Sequence, residues 1–203
     1  MPISLPWLHQ NTEEPLQPDL PICDPHHHLW DYPDSRYLLK ELMTDITGGH
    51  NVRSTVFVEC LSSYDPAASE ALAPVGETKF VEDIAAHSDS LNSIRIAAGI
   101  VSHANLLLGK AVDEVLQAHL QASPSRLRGI RHSASWDSSA EVRNSHSKPP
   151  PQLYLDNKFR QGFACLAKYN LVFDAWLYHP QLPDLTDLAN AFPYQTIVLD
   201  HAG

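Results

Sequence analysis

Six short apolar runs rich in β-branched residues recur along the chain: Ile22–Asp24, Ser54–Cys60, Ile94–Val101, Leu127–Arg131, Leu171–Leu177 and Thr196–Asp200. They show little alternation of polar and apolar positions, the pattern of strands buried on both faces of a parallel sheet. Between them, apolar residues fall at helical spacing over Pro66–Ala73, Thr78–Ser88, Leu106–Ala122, Asn157–Tyr169 and Pro183–Ala191. Sixteen prolines punctuate the element ends, with a cluster at Pro149, Pro150 and Pro151. Regular strand–helix alternation predicts βαβ units and an α/β fold. The polar, proline-bearing residues 1–21 read as an N-terminal arm leading into one domain over residues 22–203. Both a (β/α) barrel and a doubly wound open sheet satisfy this alternation. No glycine-rich phosphate loop follows the first strand, which weakens a nucleotide-binding reading.

Composition narrows the partners. The 203 residues are 43% hydrophobic and 19% charged, ordinary for one globular domain with a core, and the net charge is −10. An acidic chain without a basic cluster argues against nucleic acid and against anionic membranes. The first twenty residues lack a basic stretch followed by an apolar one, so no signal peptide is expected. No apolar run approaches the ~20 residues of a membrane helix. Cys23, Cys60 and Cys165 are widely spaced and sit in apolar runs, which predicts buried free thiols and a cytoplasmic protein.

The chemistry concentrates at the C-terminal ends of the strands, where a (β/α) barrel carries its reactive groups. The first strand runs into Asp24-Pro25-His26-His27-His28, the fourth into Arg131-His132, the fifth into Tyr178-His179-Pro180 and the sixth into Asp200-His201. In extended backbone, residues i and i+2 share a side, so His26 and His28 converge while His27 faces away. Neutral imidazoles suit a borderline metal such as zinc. Asp24 shares their side, where it can orient a ring. His179 and His201 each close an apolar strand, where a polar residue calls for a reason. Arg131 offers a planar donor fork to a substrate carboxylate, or else a structural salt bridge. Trp136 is a pocket wall or core, Glu59 a partner to a ligating histidine or a strand cap, and His132 a weaker candidate. His9, His50, His87, His103, His119 and His146 read as solvated or structural.

The run Asp24-Pro25-His26-His27-His28-Leu29-Trp30-Asp31 resembles the opening motif of the amidohydrolase-2 group of the amidohydrolase superfamily. That group includes metal-dependent TIM-barrel hydrolases, 2-pyrone-4,6-dicarboxylate lactonase-like proteins and sugar lactonases. Gly129-Ile130-Arg131, the stretch Phe173-Asp174 through Tyr178-His179-Pro180-Gln181-Leu182, and Ile197-Val198-Leu199-Asp200-His201-Ala202-Gly203 are similar to later pieces of it. The resemblance spans roughly residues 22–203 and implies a (β/α)8 TIM barrel. His26, His28 and His179 would then bind metal, and His179 and His201 would be catalytic. Arg131 would meet the substrate, and Trp136, as the candidate pocket wall, is the second substrate-binding residue expected. The group holds one divalent metal, zinc first, or none, and no lysine here suits a carbamylated metal bridge.

The implied reaction is water attack on an ester, lactone or C–N bond of a small carboxylate or sugar-derived substrate. A metal or the histidines polarise the carbonyl, and a carboxylate takes the proton. The resemblance places that carboxylate after an eighth strand, and this chain ends after a sixth. The expectation is therefore an incomplete barrel with about six strands, truncated and of little activity alone. A fragment is the preferred explanation, ahead of an assembly such as a homo-oligomer that supplies strands, or a stable inactive chain. Two further readings stay open: a non-oxidative decarboxylase of the same superfamily, and an inactive binding or regulatory subunit.

Overall fold

The computed structural model describes residues 13–91, 93–143 and 145–202. Most of the expected N-terminal arm, His9 and Gly203 lie outside them. The strands of the main sheet are β1 (Pro21–His27), β4 (Asn51–Val58), β5 (Arg95–His103), β6 (Leu127–Arg131), β7 (Val172–Ala175) and β8 (Ile197–Leu199). They lie in the order β1-β4-β5-β6-β7-β8, and every pairing is parallel. This is the expected set of six strands, arranged as an incomplete (β/α) barrel. The sheet curls strongly. His26 on β1 and Asp200 just past β8 meet at 3.0 Å, although the two strands belong to opposite ends of the sheet.

Helices follow the strands. Helix α1 is Leu39–Ile46, α2 Val75–Asp89, α3 Val112–Ala122, α4 Asn157–Phe163 and α5 Leu182–Ala191. Their starts are locally encoded. Asp156 caps α4, accepting from the Lys158 and Phe159 amides at 2.7 and 2.9 Å. Asp113 and Glu114 sit in the first turn of α3, at the positive end of its dipole. Beneath the helices the core gathers Phe57, Ile96, Ile100, Leu116, Ile130 and an aromatic cluster of Tyr154, Phe159, Phe163 and Phe173, all fully buried. Each such side chain contributes about 1.5–3 kcal/mol through burial.

Several expectations change on contact with the structure. Pro66–Ala73 forms turns rather than a helix, because Asp65 draws the chain back: its carboxylate accepts the Ala67 amide and its own amide donates to the Ala73 carbonyl, both at 2.9 Å. The helix expected over Leu106–Ala122 breaks into a 3-10 turn at Leu106–Ala111 and α3, at Gly109, whose φ of 60° is left-handed. Asn157–Tyr169 likewise tightens from α4 into a 3-10 turn over Ala164–Tyr169. A small antiparallel hairpin of β2 (Trp30–Tyr32) and β3 (Ser35–Tyr37), together with α1, fills a stretch the apolar pattern left blank. Cys23 is exposed, and Cys60 and Cys165 are only partly buried, because β1 is an outer strand and Cys165 lies on a surface turn. All three are free thiols as expected. Among the described residues, no helix is long and apolar enough to cross a membrane.

Candidate active site at the strand ends

Parallel register lines up the chemistry. His103 on β5 stands opposite Arg131 on β6, and Arg131 opposite Asp174 on β7. One row across three strands therefore delivers an imidazole, a guanidinium and a carboxylate to the same end of the sheet. Arg131 is 2% exposed. Its Nε donates to Asp174 Oδ1 at 2.8 Å, its Nη2 to Asp200 Oδ2 at 2.6 Å, and its Nη1 lies 4.0 Å from Glu59 Oε1. The guanidinium also stacks 5.4 Å from the Trp176 ring centre. Three carboxylates thus share one arginine. Burial raises the Asp174 carboxyl above its ordinary value against the pull of Arg131. Burial also pushes Asp200 upward, but the His26 hydrogen bond and the Arg131 charge outweigh it, and its carboxyl ends below the usual range.

His26 and His28 converge as their spacing predicts. Their Nε2 atoms lie 3.2 Å apart. His28 Nδ1 faces the Val58 carbonyl at 2.7 Å, which only accepts, so that nitrogen carries the proton. His26 Nδ1 faces the Asp200 carboxylate at 3.0 Å, which fixes the same tautomer. Both Nε2 atoms then present lone pairs to each other, an arrangement that calls for a shared cation or proton. Two nitrogens on one tetrahedral zinc at about 2.0–2.1 Å would stand about 3.3–3.4 Å apart, close to the observed separation. Arg131 Nη2 reaches His26 Nε2 at 3.4 Å and supplies part of that positive charge. Burial, ahead of the neighbouring Arg131 charge, holds His28 below the usual imidazole range, which keeps it neutral and able to ligate. The donor set fits a divalent metal.

His201 lines the same cleft. Its ring centre is 4.9 Å from that of His26, and its Nε2 is 3.4 Å from Asp200 Oδ2. The cleft encloses about 380 Å³ and is walled by His28, Glu59, Arg131, Arg143, Trp176 and Tyr178, among others. His26, Asp200 and His201 offer ligand atoms within 4.8 Å of one another.

Other candidates land elsewhere. His179 is exposed at the head of a 3-10 turn, His179–Gln181, and joins neither the wall of the cleft nor the group around His26. Asp24 accepts from the His26 backbone amide at 3.1 Å, so it steadies the strand, and Asp200 is the carboxylate that orients the His26 ring. Trp136 is half-buried away from the cleft and offers its carbonyl to Gln181, while Trp176 supplies the aromatic wall. Arg131 is committed to internal carboxylates, whereas the exposed Arg143 lines the cleft. His132 is buried and accepts the Leu106 amide at 3.1 Å, a structural role. His27 points to the other face, onto Thr55 and Phe57.

Sequence reasoning missed two histidines. His103 and His146 form a second group with Glu59, again with ligand atoms within 4.8 Å of one another. His103 carried a legible signal, since it closes a strand at the reactive end. His146 lies in a long loop with no periodicity to mark it.

The chain is similar to several known proteins. It is 28% identical over 207 residues to the uncharacterized protein y4mH of Sinorhizobium fredii (strain NBRC 101917 / NGR234), covering 91% of this chain and 63% of that one. Two crystal structures of an amidohydrolase from Burkholderia multivorans share its fold. The zinc-bound form matches with a TM-score of 0.62 at 23% identity, and the HEPES-bound form with 0.60 at 22%; each match covers 89% of this chain and 57% of that one. Amidohydrolase 2 from Bifidobacterium longum subsp. infantis matches with a TM-score of 0.53 at 18% identity, over 90% and 61%. The chain thus spans roughly three-fifths of the length of these relatives. With the amidohydrolase family model Amidohydro_2 matching residues 23–203, and with paired histidines, arginine and carboxylates gathered at the strand ends, this chain belongs to the amidohydrolase family.

Proposed function

We propose that this cleft hydrolyses an ester or lactone bond of a small carboxylate. The observation that carries the reading is the pair of Nε2 lone pairs on His26 and His28, fixed face to face by proton donation from both Nδ1 atoms. His26 and His28 would hold a divalent metal, zinc first by donor type, with Asp200 and His201 alongside. When bound, such an ion polarises a carbonyl and acidifies water. The zinc-bound Burkholderia multivorans structure supports the metal, as a property of that protein.

The chain's own residues do the rest. His201, backed by the Asp200 carboxylate, takes the proton from the attacking water. Asp200 also holds His26 in its ligating tautomer, and Arg131 holds Asp200, so one buried arginine sets the geometry of both imidazoles. The exposed Arg143 at the cleft wall meets the substrate carboxylate, with Trp176 and Tyr178 packing its apolar part. This assigns a proton acceptor within residues 13–202, so the reading does not wait for a carboxylate from an eighth strand.

The test is proton release in a pH-stat from a panel of lactones and esters, with zinc added and carbon dioxide followed in parallel. Acid release that drops about 100-fold in His201→Ala is expected, the scale of a lost general base. Carbon dioxide without acid release would turn the reading to a decarboxylase. Neither product at any substrate concentration would leave a binding role.

A further inference from the structure

Glu59 is the most conspicuous unsatisfied group among the described residues. It is 1% exposed, yet neither carboxylate oxygen has a hydrogen-bond partner. His146 Nε2 comes within 3.2 Å of Oε2 but off the line of a hydrogen bond, and it too is buried and unpartnered. Burial of an ionised carboxylate without donors costs several kcal/mol or more unless a charge compensates it. The nearby guanidinium of Arg131 is only a partial answer. It lies 4.0 Å from Oε1 and directs its closer hydrogen bonds to Asp174 and Asp200, so Oε2 faces the histidines.

His103 completes the group. Its Nδ1 donates to the Arg131 carbonyl at 3.1 Å, since a carbonyl can only accept, and Nε2 is left as a lone pair. All three mounts are stiff. The Glu59 amide continues the sheet ladder onto the Val101 carbonyl at 2.8 Å, and His103 is the last residue of β5. The loop bearing His146 is tied down by Ser145, whose amide reaches the Ser135 carbonyl at 3.3 Å, and by Ser147, whose hydroxyl reaches the Ser133 carbonyl at 3.4 Å. One carboxylate oxygen and two imidazoles within 4.8 Å of each other form a donor set of the kind that holds a first-row divalent ion with a position left open.

We propose that Glu59, His103 and His146 form a second divalent-metal site, zinc-like in its ligands, in the wall between the catalytic cleft and a neighbouring one of about 680 Å³. It shares no ligand with the His26 and His28 pair, so its occupancy is measurable whether or not that pair binds metal. A simple ion pair between Glu59 and a protonated His146 is the alternative, and the misaligned contact and the two orphaned oxygens speak against it.

Equilibrium dialysis of the purified chain against cobalt(II), with metal analysis and visible absorption, decides the matter. The expected result is that His146→Ala and Glu59→Gln each lose one bound cobalt per chain and its absorption bands, while His26→Ala/His28→Ala keeps them. His146 lies in a partly exposed loop and glutamine is nearly isosteric with glutamate, so far-ultraviolet dichroism should stay unchanged in both. If the chain binds a single cobalt, its loss in Glu59→Gln and His146→Ala but not in His26→Ala/His28→Ala upholds this site and removes metal from the proposed reaction. Cobalt bound at wild-type stoichiometry by both Glu59→Gln and His146→Ala, or no cobalt bound by the wild-type chain, overturns it.

Discussion

Two buried polar assemblies meet at His103, and they obey opposite rules. On the helix side, the Ser102 hydroxyl donates to Thr78 Oγ1 at 2.6 Å, Thr78 donates to His119 Nδ1 at 2.8 Å, and His119 Nε2 donates to the His103 carbonyl at 3.0 Å. Each proton has one direction to go, and every polar atom in that chain is used. On the cleft side, one arginine is shared among three carboxylates, two imidazoles face each other through lone pairs, and neither Glu59 oxygen has a hydrogen-bond partner. The first assembly is what a fold builds when it must bury polarity. The second is left incomplete, and an incomplete buried set is one that a ligand finishes. Histidine alone does not separate the two, since both contain it; satisfaction does.

The largest test removes the charge on which the cleft side depends. Arg131→Met keeps the stem volume but strands Asp174 and Asp200, and a broken buried pair of this kind costs about 3–5 kcal/mol. Urea titration followed by tryptophan fluorescence should show that loss. A change under about 1 kcal/mol would mean that the carboxylates are hydrated or protonated, and the contrast between the two assemblies would fade.

The helix side should answer with a smaller loss and a distinct pH signature. His119→Leu takes the side-chain donor from the His103 carbonyl and the His119 acceptor from the Thr78 hydroxyl, which keeps only Ser102, and costs about 1–3 kcal/mol. Burial lowers the His119 pKa from 6.5 to about 4, so the native state holds it neutral. A depressed value of this kind contributes stability above pH 6.5 that is lost as pH falls toward 4, where the unfolded chain takes up the proton first. The deficit of His119→Leu against wild type should therefore be widest near pH 7.5 and shrink by pH 4.5, with cobalt binding at pH 7.5 the same as in wild type. A pH-independent deficit would show that His119 is not held neutral.

Much of this organisation is written in the sequence and some is not. The inner strands were legible because β5 and β6 are buried on both faces and have no room for alternation. The outer strands β1 and β8 are partly exposed, with Val198 and Leu199 open to solvent, and their apolar character reflects the β-propensity of their residues more than burial. The His26 and His28 pair was legible from strand period alone. Asp24 was the natural carboxylate to orient a ring, because spacing selects local neighbours; Asp200, 174 residues from His26, becomes its partner only through the curl of the sheet. His103 lies beyond the expected strand, which ends at Val101, while pairing with β6 carries β5 through His103. His146 rests on loop contacts that leave no pattern in the chain.

The smallest expected effect on stability is the most informative. Glu59→Gln removes a buried charge that has no hydrogen bond to lose, so the usual penalty for deleting one member of a buried pair does not apply. The burial cost of the carboxylate disappears with its attraction to His103, His146 and Arg131. Those opposing terms leave the carboxyl below its ordinary value: burial is the largest influence and raises it, and the approach of His146 with the pull of His103 and of the Arg131 charge together outweigh it. The balance places the change in unfolding free energy within about 1 kcal/mol of zero, against about 1–3 kcal/mol for His119→Leu, a residue equally buried. Measured side by side in urea, the two variants separate the roles: His119→Leu loses stability and keeps cobalt, and Glu59→Gln keeps stability and loses cobalt. A loss above about 3 kcal/mol in Glu59→Gln would show the glutamate to be a structural counter-charge for Arg131, and the incomplete assembly would then be a strained part of the fold.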